Sequence, residues 1–124
     1  MKFALVEKPT YWWPVTVRVP DPDTAGKFQE QELKLQFVAQ PRDAAIAAQE
    51  AYADLTSDRA RHETEVAQML DIVTGWDGVV DGNGNPVPFS ETTLRAALQL
   101  MWFRNAVNAA YAESMMGIEA RLGN

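Results

Sequence analysis

The sequence predicts an α+β fold: an N-terminal β-hairpin or small three-stranded antiparallel sheet, then about four α-helices, with a short hairpin-like loop at 76–89. Three observations predict it. Apolar and polar residues alternate through two stretches of the first 40 residues. After Pro41 the spacing changes to the three-and-four rhythm of helices. Between two helical patterns, "GWDGVVDGNGNPVPFSETTL" (75–94) gathers glycines, prolines and turn formers. A length of 124 residues reads as one domain, 1–124, with strands at about 2–40 and helices at about 42–73 and 90–120.

Residues 2–6, "KFALV", read as a short strand and a candidate third member of the sheet. In "WWPVTVRVP", Trp13, Val15, Val17 and Val19 alternate with Pro14, Thr16 and Arg18, the pattern of a strand with one buried face. Pro14 and Pro20 cannot donate to a ladder, so this strand is expected to lie at an edge or to end quickly. After the turn-rich "DPDTAGK", Leu33, Leu35, Phe37 and Ala39 alternate in the same way, completing a hairpin.

Pro41 and Asp43 suit a first helical turn. The alanine-rich run that follows sets Ala44, Ala48, Ala51 and Leu55 on one side, with Ile46 and Tyr52 elsewhere. Thr56 or Ser57 can cap a second helix. Its first half is polar, and Val66, Met69, Leu70 and Val73 form its buried stripe. Ser90 caps the next helix, with Glu91 in its first turn and Phe89 placed to staple against Leu94 or its neighbours. A stripe of Leu94, Ala97, Leu98 and Met101 is then replaced by one of Phe103, Val107, Ala110, Tyr111 and Ser114, running toward Ile118. One straight helix cannot turn both stripes to one core, so a kink or short break is expected near Leu100–Trp102. Gly117 and Gly123 predict fraying at the end.

Composition excludes several function classes. There is no cysteine, hence no disulfide framework and no thiolate metal site. A formal net charge of −6 opposes nonspecific nucleic-acid binding, and the basic "RARH" is followed at once by acids. No apolar run approaches the roughly 18 residues of a membrane helix, and the first residues lack the long apolar core of a signal peptide. Accordingly neither nucleic acid nor membrane is expected as a partner.

The loop at 76–89 fails each chemical template. Asp81, Asn83 and Asn85 match the first alternate ligands of a calcium loop, but Pro86 stands where glycine is needed and Thr92 where a bidentate Glu is needed. Nor does "GNGNP" carry the Lys of a phosphate-binding loop. Asp-Gly and Asn-Gly instead signal a tight hairpin turn with positive φ at its central positions. The segment therefore reads as a rigid spacer that aims one helix relative to another. His62, the single histidine, sits among charged residues and reads as a surface group; "HETE" lacks the second His of a zinc protease helix. No catalytic residue, metal ligand or cofactor site is expected.

Candidate partner-binding residues are Trp12, Trp76, Met115 and Met116. With Trp13 inside, Trp12 falls on the opposite face, where it is either covered by another element or an exposed anchor of the kind favoured at hot spots. Trp76, beside the glycines, faces the same choice. Met115 and Met116 cannot share one narrow stripe, and methionine adapts to varied partner surfaces as well as to cores.

The order of segments resembles the tail assembly chaperones of long-tailed (siphovirus-type) bacteriophages. The matching parts are "PVTVRVP", "KLQFVAQPRDAA", "GWDGVVDGNGNPVPFSETTLRAAL" and the closing "AVNAAYAE". The resemblance covers most of the chain and is weakest at 1–10 and 56–70. One departure is Met101, where such chaperones often carry a proline before the Trp matching Trp102. The resemblance implies a non-enzymatic protein that binds the tape-measure protein and keeps it soluble during tail tube assembly. It further implies action in the host bacterial cytoplasm, absence from the mature virion, and in many phages a frameshifted longer form that recruits tail tube protein. Weak homo-oligomerisation would suit coating of a long partner. The alternative is a structural adaptor retained in the particle at a tail or head-tail joint.

Overall fold

A computed structural model describes residues 1–120. The fold is α+β, a three-stranded antiparallel sheet in the order β1-β2-β3 with four helices. β1 (Thr10–Pro20) and β2 (Phe28–Val38) pair in unbroken register, Thr10 with Val38 through Pro20 with Phe28. On the inner face Val15, Val17, Leu35 and Phe37 are buried, as the alternation predicts. Burying a side chain of this size contributes about 1.5–3 kcal/mol.

The prolines of β1 sit where they cost no ladder bond. Just beyond the paired residues, Ala39 N–H donates to Pro9 O and Asp21 N–H to Lys27 O, both at 2.9 Å. These bonds set the phase: odd-numbered residues of β1 turn their backbone groups toward β2, and even-numbered ones turn theirs to the open edge. Pro14 and Pro20 are even. Their missing amides face outward, and they blunt an edge that could otherwise pair without limit.

The third strand is not residues 2–6. That segment has no partner strand, and its Phe3 and Leu5 are 89% and 92% exposed. β3 is Val73–Asp77, antiparallel to β2 on the side away from β1. It was hidden in the sequence for two reasons. Val73 completes a helical stripe with Val66 and Met69, and the strand's own alternation is broken. Phe37 pairs with Val73 and Gln36 with Gly75, so Thr74 is an extra, bulged residue.

The helical expectation for 42–73 resolves into α1 (Arg42–Ala53) and α2 (Asp58–Ile72). Ser57 caps α2, its Oγ accepting from Ala60 N–H at 3.0 Å. α2 passes into β3 with no intervening residue. Its buried residues are Val66, Met69 and Ile72, all in its second half. α1 buries none. Its half-buried line is Ala45, Ala48 and Tyr52, with Leu55 just past its end: Ala48 and Leu55 are as expected, while Ala45 and Tyr52 replace Ala44 and Ala51, and Tyr52 meets Glu65 of α2.

α3 (Glu91–Leu98) and α4 (Met101–Met115) are separated at Gln99 and Leu100, where the two stripes change phase. Leu94 and Leu98 from α3, and Phe103, Val107 and Ala110 from α4, close the core against the inner sheet face. α4 lies along β1. Met101 and Ile118, expected on the buried stripes, are exposed: Met101 is the first residue of α4, and Ile118 lies past its end. Gly117 follows α4 with φ +74°, whereas Gly123 lies outside the described residues.

The spacer at 79–89 is a miniature hairpin. Val80 bridges Pro86, Val87 N–H donates to Val79 O at 2.9 Å, and Gly84 N–H closes the turn on Asp81 O at 3.0 Å. Only Gly84 takes positive φ there, +82°, while Gly82 and Asn83 do not. The expected turn with two left-handed residues is thus replaced by one in which Gly84 alone reverses the chain. Ser90 caps α3 in a reciprocal box with Thr93: Ser90 Oγ accepts from Thr93 N–H at 3.1 Å, and Thr93 Oγ1 accepts from Ser90 N–H at 2.9 Å.

Candidate functional site: the exposed apolar surface

Each predicted partner residue can be placed through the strand rows. Trp12, Gln36 and Gly75 form one cross-strand row on the outer face; Trp13, Leu35 and Trp76 form the next row on the inner face. The two candidate tryptophans therefore point to opposite sides of one sheet. Trp12 keeps 50% of its surface exposed. Its indole reaches across Gln36 to Gly75, where an added Cβ would lie 3.6 Å from Trp12 Cη2. That is ordinary contact; the nearest atom to such a Cβ would be Gln36 Oε1, at 3.2 Å.

Trp76 is half-buried and tied to the spacer. Its Nε1–H donates to Val87 O at 2.8 Å, and its ring meets Phe89 edge-on, 5.3 Å between centroids. Phe89, expected against Leu94 or its neighbours, packs against the core cluster that contains Leu94 and makes its ring contact here. This pair joins β3 to the miniature hairpin and so sets the position from which α3 departs.

Met115 and Met116 end α4, and Met116 is 69% exposed. Met115 is anchored on one side: Tyr11 O–H lies 3.7 Å from its sulfur and 2.6 Å from Ser114 Oγ. Ser114 gives its hydroxyl hydrogen to Tyr111 O at 2.7 Å, so Tyr11 is the donor to Ser114. Burial, the largest influence, pushes the Tyr11 phenol above its ordinary pKa. Tyr111 in turn accepts from Gln40 N–H at 3.0 Å and sets its ring against Phe37, 5.3 Å between centroids. Met115 thus stands over a polar and aromatic clasp that holds the end of α4 to the start of β1. The four predicted residues do not converge on one site: Trp12, Trp76 and the methionine pair occupy three separate places.

A feature that sequence reasoning missed lies along β1. A groove of about 540 Å³ runs between its open edge and α4. Thr16, Arg18 and Phe28 form one wall; Met101, Trp102 and Ala106 form the other. The Arg18 guanidinium lies 4.8 Å from the centre of the Phe28 ring, a cation–π contact that holds both side chains at the rim. Phe28, Met101 and Trp102 are exposed. The signal in the sequence was the phase change itself. Leu100 and Trp102 belong to neither stripe, and Met101, the last member of the first, is left exposed where the phase changes.

Among the described residues no group of three or more His, Cys, Asp or Glu is placed to hold a metal ion. The Asp81 carboxylate is turned onto its own loop, with Oδ1 accepting from Asn83 N–H at 2.8 Å and Asn85 N–H at 3.0 Å. His62 Nε2 lies 3.5 Å from Gln99 Nε2 at the joint between α2 and α3. No helix among these residues is long and apolar enough to cross a membrane. No family model matches the chain, and no curated protein or solved structure matches it.

Proposed function

We propose that this chain is a tail assembly chaperone of a long-tailed bacteriophage, binding the tape-measure protein and keeping it soluble while the tail tube is built. The observation that carries the reading is the order of the segments "PVTVRVP", "KLQFVAQPRDAA", "GWDGVVDGNGNPVPFSETTLRAAL" and "AVNAAYAE". The distribution of exposed apolar groups supports it. Trp12, the Met101–Trp102 pair and the Met115–Met116 pair are spread over the sheet and both ends of α4. A long apolar partner that must later be released is better held by several modest contacts than by one deep pocket, and methionine suits a variable sequence. A net charge of −6 keeps the loaded complex soluble. On this reading the chain acts in the host cytoplasm, without catalysis or cofactor, and is absent from the finished virion. A frameshifted longer form would add the contact to tail tube protein.

Co-expression tests the proposal. A tape-measure segment that is insoluble alone should appear in the soluble fraction, bound to this chain. Equal insolubility with and without the chain would overturn the reading. Detection of the chain in purified virions would favour the retained adaptor instead.

A further inference from the structure

We propose that residues 1–6 of one copy dock in the groove between β1 and α4 of a second copy. Four observations lead there. First, Met1, Phe3 and Leu5 repeat at every second position of an arm that is exposed throughout. An extended arm would present all three to one side. Second, the β1 edge offers a bounded window. Between the outward-facing Pro14 and Pro20, only Thr16 and Arg18 turn a complete set of backbone groups outward. A short extended arm can pair with this window, whereas an unlimited strand cannot. Third, the groove beside the window offers the apolar side chains of Phe28, Met101, Trp102 and Ala109 to Phe3 and Leu5. Fourth, the groove carries the Glu30 carboxylate, and the arm carries Lys2.

The arm cannot reach the window of its own chain. Pro9 is already held in register by Ala39 N–H, so the chain can reverse only before it. A reversal at Glu7–Lys8 would set Val6 beside Pro9 and Met1 beside Pro14, where the groove only begins. Thr16 and Arg18 lie further along, so residues 1–6 that pair there must be those of another copy. The inference is independent of the chaperone reading, and its test uses no tape-measure protein.

Sedimentation velocity over a concentration series tests it with two folded, surface-altered forms. One lacks residues 1–6; the other carries Ala109→Arg, an exposed position in the groove. The full chain should self-associate, and each altered form alone should be at least tenfold weaker. Mixed together, the groove-blocked and armless forms should recover a complex, because one supplies the arm and the other the groove. A labelled peptide of residues 1–8 should bind the armless form, with at least tenfold loss on Leu5→Asp. A full chain that remains monomeric, association that survives removal of the arm, or mixing that restores nothing would each overturn the proposal.

Discussion

At the scale of single residues, the two tryptophans flanking the central strand have opposite duties. Trp76 holds the spacer through a hydrogen bond and an aromatic contact. Trp76→Ala should cost about 2–3 kcal/mol, below the range for a wholly buried aromatic because the residue is only half-buried. Trp12 lies on the outer face, so Trp12→Ala should change stability by less than about 1 kcal/mol while reducing the yield of soluble tape-measure complex. Urea denaturation and the co-expression assay separate the two effects, and an equal stability loss would contradict this division. Tyr11 gives a pH dependence of definite sign. Its phenol is raised in the folded state, whereas the unfolded phenol titrates at about 10. Above that pH the unfolded chain loses this proton first, and the native state binds more protons. The contribution is therefore complete below about pH 10 and lost as pH rises through the folded value. The urea midpoint should fall above that pH, and fall less steeply in Tyr11→Phe. Tyr52, raised through its hydrogen bond to Glu65, remains in both forms and cancels in the comparison.

At the scale of elements, burial separates α1 from the rest. It has no buried residue, and its links to α2 are few: Gln68 Nε2 donates to Ala48 O at 3.0 Å, and Tyr52 meets Glu65. Its high alanine content favours the helix locally but supplies little apolar area to dock it. Hydrogen exchange should therefore show α1 amides opening before those of α4, whose Phe103, Val107 and Ala110 are in the core. Comparable protection in both helices would contradict this. The β1–β2 hairpin was legible in the sequence because each strand keeps one unbroken period, and the break before α4 because two helical stripes change phase there. β3 was not legible, because the bulge at Thr74 removes its alternation and Val73 also satisfies a helical one. In residues 2–6 the failure is of the reverse kind. Their alternation is genuine, yet a strand also needs a neighbour, and period alone does not provide one.

For the whole molecule, one core is assembled from distant parts of the chain. Val15 and Phe37 from the hairpin, Val66 and Met69 from α2, and Leu94, Leu98 and Val107 from α3 and α4 belong to a single cluster. The sequence supplied most of these residues but not the groove beside them. A groove belongs to two elements at once, and only the packing of α4 along β1 creates it. The same holds for Tyr11 and Ser114, 103 positions apart, whose contact no local pattern announces. The joint between α2 and β3 has a further consequence. Ile72 ends the helix and Val73 begins the strand, with no slack residue between them. The last turn of α2 and the edge strand of the sheet therefore share one continuous backbone, and neither can be repositioned without carrying the other.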